Sequence, residues 1–262
     1  MDKIDNRLTK KRAKAKHAQI KKAGKFSLAL RFFFIVLFII SIIYLINWYC
    51  ENKRNAELTT FLNSYISVDS SDTDDVNCTI DFEGLRNINN CCFAWLKVNG
   101  TNISYPVVHY KDNDYYLTHS FDNANNSSGC PFADHRNKCD GTDKNLVIYA
   151  HNRRDGSMFA GLKNTLKKQW YSNEDNLVIE LYTPDGLIKY KVFSVYEIKA
   201  ENYYASQFFG TDNSYLEFLK NMKSRSIYDF NQELTANDQI ITLSTCSNNN
   251  AYRTVLHAKM IK

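Results

Sequence analysis

Gln239-Ile240-Ile241-Thr242-Leu243-Ser244-Thr245-Cys246 decides how the rest of this chain is read. β-Branched residues crowd the run and favour a pleated backbone. It ends on a thiol followed by the polar loop Ser247-Asn248-Asn249-Asn250. The sulfur is therefore expected at the mouth of a strand, where a nucleophile can meet a substrate. Residues 251–261 read as the next strand, because Val255, Leu256, Ala258, Met260 and Ile261 are apolar and neither Pro nor Gly interrupts them. The resulting hairpin brings Arg253 beside Cys246. A guanidinium stabilises a thiolate, and its planar fork of donors can hold a carbonyl oxygen that is gaining charge. Without further context, a buried structural Cys beside a surface Arg fits the same residues equally well.

Upstream, Asn145-Leu146-Val147-Ile148-Tyr149-Ala150 is a second strand-like run, and it ends on His151. TLSTC with its following Arg, NLVIYAHN, and the segments FAWLKVNGTNISYPVVH (93–109), DNDYYLTHSF (112–121) and YAHNRRDGSMFAGLKN (149–164) together resemble the sortases, most closely class B. The resemblance covers about residues 80–262. It implies a mainly β fold, an eight-stranded barrel with a few short helices, and a cysteine transpeptidase of Gram-positive cell surfaces. Cys246 is then the nucleophile, His151 the general acid and base, and Arg253 the stabiliser of the oxyanion. The six residues between Cys246 and Arg253 are fewer than class B sequences often carry, which leaves the register of Arg253 open.

The remaining histidines fit this role poorly. His17 precedes the apolar segment described below, and His109, His119 and His135 read as surface or packing residues. His257 shares a face with Arg253, but four residues at about 3.3 Å each put it roughly 13 Å along the strand, so a structural role is expected. Ser244 shares the face of Cys246 by alternation and is expected along a substrate groove, while Thr245 points the other way and packs. The resemblance adds Tyr203 and Tyr204 as groove contacts, and Asn152 either orients His151 or forms a turn.

Elsewhere the punctuation is that of a β protein. Residues 93–98 and 103–109 flank Asn99-Gly100, and residues 177–182 and 187–198 flank Pro184-Asp185-Gly186, two hairpin signals. Short helices are expected over 81–88 and from Asp155-Gly156-Ser157 to about Lys168, with a helical turn in 112–121. Residues 122–144 are polar and turn-rich and read as a long surface loop. Residues 199–237 form an insertion with a helix at 214–223; by resemblance it lies between the sixth and seventh strands and walls the groove. Residues 51–66 carry a helical stripe of Leu58, Phe61, Leu62 and Tyr65, and 67–77 read as a linker.

Charge is segregated. Ten Lys or Arg within residues 1–25 oppose only Asp2 and Asp5, so the net +5 belongs to the tail and residues 32–262 sum to −4. That removes a basic face from the folded part, and with it a nucleic-acid partner. Residues 26–46 are apolar except for Arg31, long enough to span a membrane, with the basic residues keeping the N-terminus cytoplasmic and Trp48 and Tyr49 at the outer interface. No small-x-small site follows, so an uncleaved anchor is expected. The domain order is then 1–25 cytoplasmic tail, 26–46 transmembrane helix, 47–79 stalk or linker and 80–262 catalytic domain, outside the cell.

Seven cysteines leave one unpaired; Cys130 and Cys139 bracket a loop and are a candidate disulfide. Their spacings suit no zinc site, and no cofactor or metal is expected. By resemblance, the enzyme cleaves a C-terminal sorting signal containing Pro and Thr after the Thr, through a thioacyl intermediate, and transfers the acyl group to an amine of the cell-wall peptide or its lipid-linked precursor. Two alternatives stay open: a pilin polymerase with a Lys acceptor, and a non-catalytic surface-binding module on the same barrel.

Overall fold

The computed structural model describes residues 2–69, 77–199, 201, 203–246 and 252–261, with backbone alone for 2–13, 15–29, 68–69, 77 and 246. Two compact units make up the chain, 1–56 and 57–262. In the first, helix α1 (Asp2–Asn63) begins, and from Leu30 onward it is long and apolar enough to cross a membrane. The side chains of this stretch point away from any protein core: Phe32 to Ile35 and Phe38 to Ile40 are all at least half exposed.

The second unit is a closed eight-stranded barrel. Its strands are β3 (Cys92–Val98), β4 (Ser104–His109), β5 (Phe132–Ala133), β6 (Asn145–His151), β7 (Val178–Thr183), β8 (Gly186–Lys199), β9 (Ile240–Cys246) and β10 (Tyr252–Ile261), and they close in the order β10-β8-β7-β3-β4-β5-β6-β9. The two expected hairpins form. Gly100 turns the first with φ +67° and Gly186 the second with φ +133°, backbone conformations that a Cβ would strain. The insertion lies between the sixth and seventh barrel strands, as expected, and carries helix α5 (Asp212–Ser224). Thr211 and Ser214 form a reciprocal capping box at its start, worth about 1 kcal/mol. Tyr215, Leu219 and Met222, at helical spacing, bury one face of it.

Alternation along the strands sorts the core. Leu96, Ile148, Leu243 and Leu256 fill the barrel interior. Their neighbours point outward into two further clusters. One, around Trp95, Val108 and Tyr116, is covered by Leu58 and Leu62 from the last turns of α1, by Tyr65 just after it, and by helix α2 (Phe82–Ile88). The other, around Val147, Phe193, Tyr204 and Val255, is covered by the insertion.

Several expectations need correction. Residues 122–144 are not a surface loop: Asn126, Ser128, Cys130, Phe132, Asp134 and Asn137 are buried and β5 is a barrel strand. Polar composition misled because these groups satisfy one another, as where Asn137 donates to the Asn145 carbonyl at 2.8 Å and accepts from the Val147 amide at 3.0 Å. The helix expected over 155–168 is a 3-10 turn (Phe159–Gly161) and two single turns, α3 (Leu162–Thr165) and α4 (Lys168–Tyr171); the left-handed backbone of Gly156 and Met158 blocks an earlier start. The linker expected over 67–77 is flanked by a paired hairpin, β1 (Ile66–Asp69) with β2 (Asn77–Ile80), and its middle, 70–76, lies outside the described residues. Cys130 and Cys139 are both free thiols, one in the outer cluster and the other against the barrel interior.

Candidate active site

Six of the eight neighbour pairs around the closed barrel are antiparallel; β4 with β5 and β6 with β9 run parallel. Parallel pairing puts the C-terminal ends of β6 and β9 at one mouth. Their register sets His151 directly opposite Cys246, and Tyr149 opposite Ser244. On the other side of β9, β10 is antiparallel, with Val255 opposite Ser244 as the last pair toward this mouth; Arg253 is two residues beyond it on β10 and Cys246 two beyond it on β9. The amide of Thr254 donating to Thr245 Oγ1 at 2.9 Å carries the pairing into that last stretch. The three positions therefore stand near one mouth of the barrel, on adjacent strands spaced about 4.8 Å. The loop expected over 247–250 lies outside the described residues.

The imidazole of His151 is held from the side. Its Nε2 is 2.7 Å from the carbonyl oxygen of Leu117, at the end of the 3-10 turn Tyr115–Leu117. A carbonyl only accepts, so Nε2 carries the proton of the neutral ring and Nδ1 is its basic nitrogen. Nδ1 is buried, with no hydrogen-bond partner among the described residues. Asn152, offered as the orienting group, is instead engaged through its backbone in a bridge to Met158. Leu117 was invisible to sequence reasoning because the functional group is main chain.

Gly129 explains how that carbonyl reaches the ring. At φ +63°, a Cβ there would collide with the Tyr116 carbonyl and stand 3.1 Å from His151 Cδ2 and 3.2 Å from the Leu117 oxygen. Gly129→Ala is expected to displace ring or carbonyl. Misplacement of about 1 Å costs roughly 10²-fold in rate. Steady-state turnover of the variant, set against its melting curve, checks this; a fall in turnover no larger than its lost folded fraction would refute it.

Arg253 is half-buried, and its Nη1 donates to the Tyr204 hydroxyl at 3.0 Å, which lies 2.9 Å from Ser244 Oγ. Ser244 and Tyr204 are both fully buried, so neither fronts a groove as expected; packing by the insertion covers them. Tyr203 is half-buried with the Arg225 guanidinium 4.2 Å from its ring centre. Thr245 is buried in the barrel, as its parity predicts.

Beneath His151, Tyr149 donates to Asp134 Oδ2 at 3.0 Å, and Arg136 grips the same carboxylate with Nε to Oδ1 at 2.9 Å and Nη2 to Oδ2 at 2.7 Å. Burial would raise the Asp134 pKa, but the hydrogen bonds and charge of Arg136 outweigh it and hold the group at about 2. A depressed carboxylate contributes stability above its unfolded pKa and loses it as pH falls through the folded one. Asp134 should therefore contribute about 2 kcal/mol above pH 5 that fades between about pH 4 and 2. Urea unfolding of wild type and Asp134→Asn across that range checks it: the gap should close on acidification, and a constant gap would refute it.

The other ionisable groups are poor rivals. Burial pushes the Cys92 thiol up to about 12 and raises the Cys130 thiol well above its usual value, so both stay protonated and inert. His257 is fully buried between Tyr196 and Thr242, and burial lowers its pKa to about 3, so it is a neutral structural residue as expected.

Comparison with known proteins agrees with this geometry. Residues 96–261 match the family model described as Sortase domain. Sortase B of Listeria monocytogenes is 34% identical over 218 residues, 80% of this chain and 87% of that protein. Among solved structures, sortase B of Clostridium perfringens is similar at 35% identity and TM-score 0.65, covering 70% of this chain and all of that one. Sortase B of Bacillus anthracis is similar at 29% identity and TM-score 0.71, covering 82% and 99%.

Proposed function

This chain belongs to the sortase family, in its class B branch, and we propose that it works as a membrane-anchored cysteine transpeptidase of the outer cell surface. Residues 1–25 are the cytoplasmic tail, 26–46 the span, 47–79 the stalk and 80–262 the catalytic domain. The orientation is supported by the ten basic residues before the span. The observation that supports the chemistry is the pairing of His151 opposite Cys246 across β6 and β9, with Arg253 near the same mouth on the neighbouring β10.

The Cys246 thiolate attacks the carbonyl carbon of the Thr in a C-terminal sorting signal, and the carbonyl oxygen takes up the negative charge beside Arg253. As the tetrahedral centre collapses, the C–N bond breaks and the departing amine takes a proton from His151, leaving a thioester. The incoming amine of the cell-wall peptide, or of its lipid-linked precursor, then gives a proton to His151 as it attacks. Collapse forms the new amide and returns the thiolate. With Nε2 tied to Leu117, Nδ1 is the nitrogen that exchanges the proton. Tyr203 and Asn152 border the groove, with Ser244 and Tyr204 behind it.

Intact-mass analysis of the full-length enzyme with peptides containing Pro and Thr, with and without amine, tests the reading. An acyl adduct on Cys246 that disappears when wall-peptide amine is added, with a new amide in its place, is the expected result. Amide formed only with a Lys of a protein subunit would move the acceptor to pilin, and folded enzyme with no adduct on any such peptide would favour the binding module.

A further inference from the structure

The hydroxyl that meets Arg253 belongs to a residue the reaction above does not use. Tyr204 sits in the 3-10 turn Tyr203–Ala205 that opens the insertion, fully buried. A guanidinium has only donors, so the phenol oxygen accepts from Arg253 Nη1; it shares a second hydrogen bond with Ser244 Oγ, in which either hydroxyl can donate. We propose that Tyr204 is a positioning residue for the reaction, holding the Arg253 guanidinium where the oxyanion develops; this rests on the role given to Arg253 above.

Three features support it. First, the turn is pinned to the barrel. Asn145 Nδ2 donates to the carbonyls of Tyr204 at 3.3 Å and Ser206 at 2.9 Å. Arg136 Nη2 donates to that of Ala205 at 3.2 Å, and Gln207 donates to Asn137 Oδ1 at 3.1 Å. Secondly, a tyrosine ring packed among Val147, Phe193 and Val255 has little torsional freedom, whereas an arginine must be held along a long flexible stem. The acceptor is thus in place before the guanidinium meets it, which is what preorganised charge stabilisation requires. Thirdly, the partner is neutral. A carboxylate would orient the guanidinium equally well but would offset its charge; a phenol orients it and leaves that charge to act on the substrate.

The test is a double-mutant cycle on the full-length enzyme in detergent: wild type, Tyr204→Phe, Arg253→Ala and the double variant. The probe is hydroxylamine-dependent release from a fluorogenic peptide containing Pro and Thr. Tyr204→Phe keeps the ring and removes the acceptor. It should lower kcat about ten- to a hundredfold, the worth of one hydrogen bond to a charged group, with KM within about twofold. It should also add less than about twofold to the loss in Arg253→Ala. In ¹⁵N-arginine spectra, the slowly exchanging guanidinium protons of Arg253 should average in Tyr204→Phe, a readout independent of any substrate. Losses that multiply in the double variant, an unchanged kcat, or unaltered guanidinium signals would each overturn the positioning role while leaving Arg253's own role intact. Full activity in Arg253→Ala would instead overturn the role of Arg253 and this inference with it.

Discussion

Cys246→Ala is expected to abolish both half-reactions, with no acyl adduct at any peptide concentration. Removing the nucleophile of a covalent hydrolase lowers kcat by roughly 10⁶, because the remaining groups can bind and polarise but have nothing to form the intermediate. Cys92 and Cys130 do not substitute, because burial keeps both thiols protonated. Position 246 ends β9, where main-chain pairing sets it opposite His151 of β6, so the fold should survive. A melting temperature within about 3 °C of wild type would place the loss in chemistry and not in stability. Mass spectrometry and melting of the same preparation decide it; an adduct persisting in the variant would reassign the nucleophile.

His151→Ala should lower transpeptidation by about 10² to 10⁴, the usual worth of a positioned acid and base. The diagnostic is not the size of the loss but its dependence on the leaving group. An amine must be protonated to depart, whereas an aryl alkoxide leaves unaided. An activated aryl ester of the same peptide should therefore acylate the variant with a much smaller deficit, while deacylation by an amine stays slow. A deficit equal for amide and ester would mean that the imidazole acts by packing alone. His151→Gln sharpens the test, since its amide can still donate to the Leu117 carbonyl that holds Nε2 yet cannot exchange a proton at neutral pH.

Much of the fold was legible because it is local. The β-branched run of β9, the Asn99-Gly100 turn and the Pro184-Asp185-Gly186 turn each act through their own backbone, and each stands where expected. The spacing of Tyr215, Leu219 and Met222 marked α5 by the same logic. What was missed is non-local. A two-residue strand such as β5 has no periodicity to read, and its place in the barrel comes from partners on β4 and β6. Buried Asp134, Asn137 and Ser128 read as a solvated loop because sequence shows polarity but not the partner that satisfies it. Tyr204 was assigned to the groove by resemblance alone; the engagement of its hydroxyl by Arg253, 49 positions away in the chain, is likewise non-local.

By itself, the order of residues determined which chemistries were present: one thiol at a strand end, a histidine at another, an arginine just beyond, and an apolar helix ahead of a −4 remainder. Only the tertiary structure decided that these meet. The parallel pairing of β6 with β9 sets His151 against position 246, and it depends on closure of the whole barrel. Local propensity makes a strand but does not specify its neighbour or register, which are chosen by burying one face of every strand at once. The ring nitrogen left to exchange a proton was decided there too, by a carbonyl 34 positions upstream whose identity as Leu117 carried no signal.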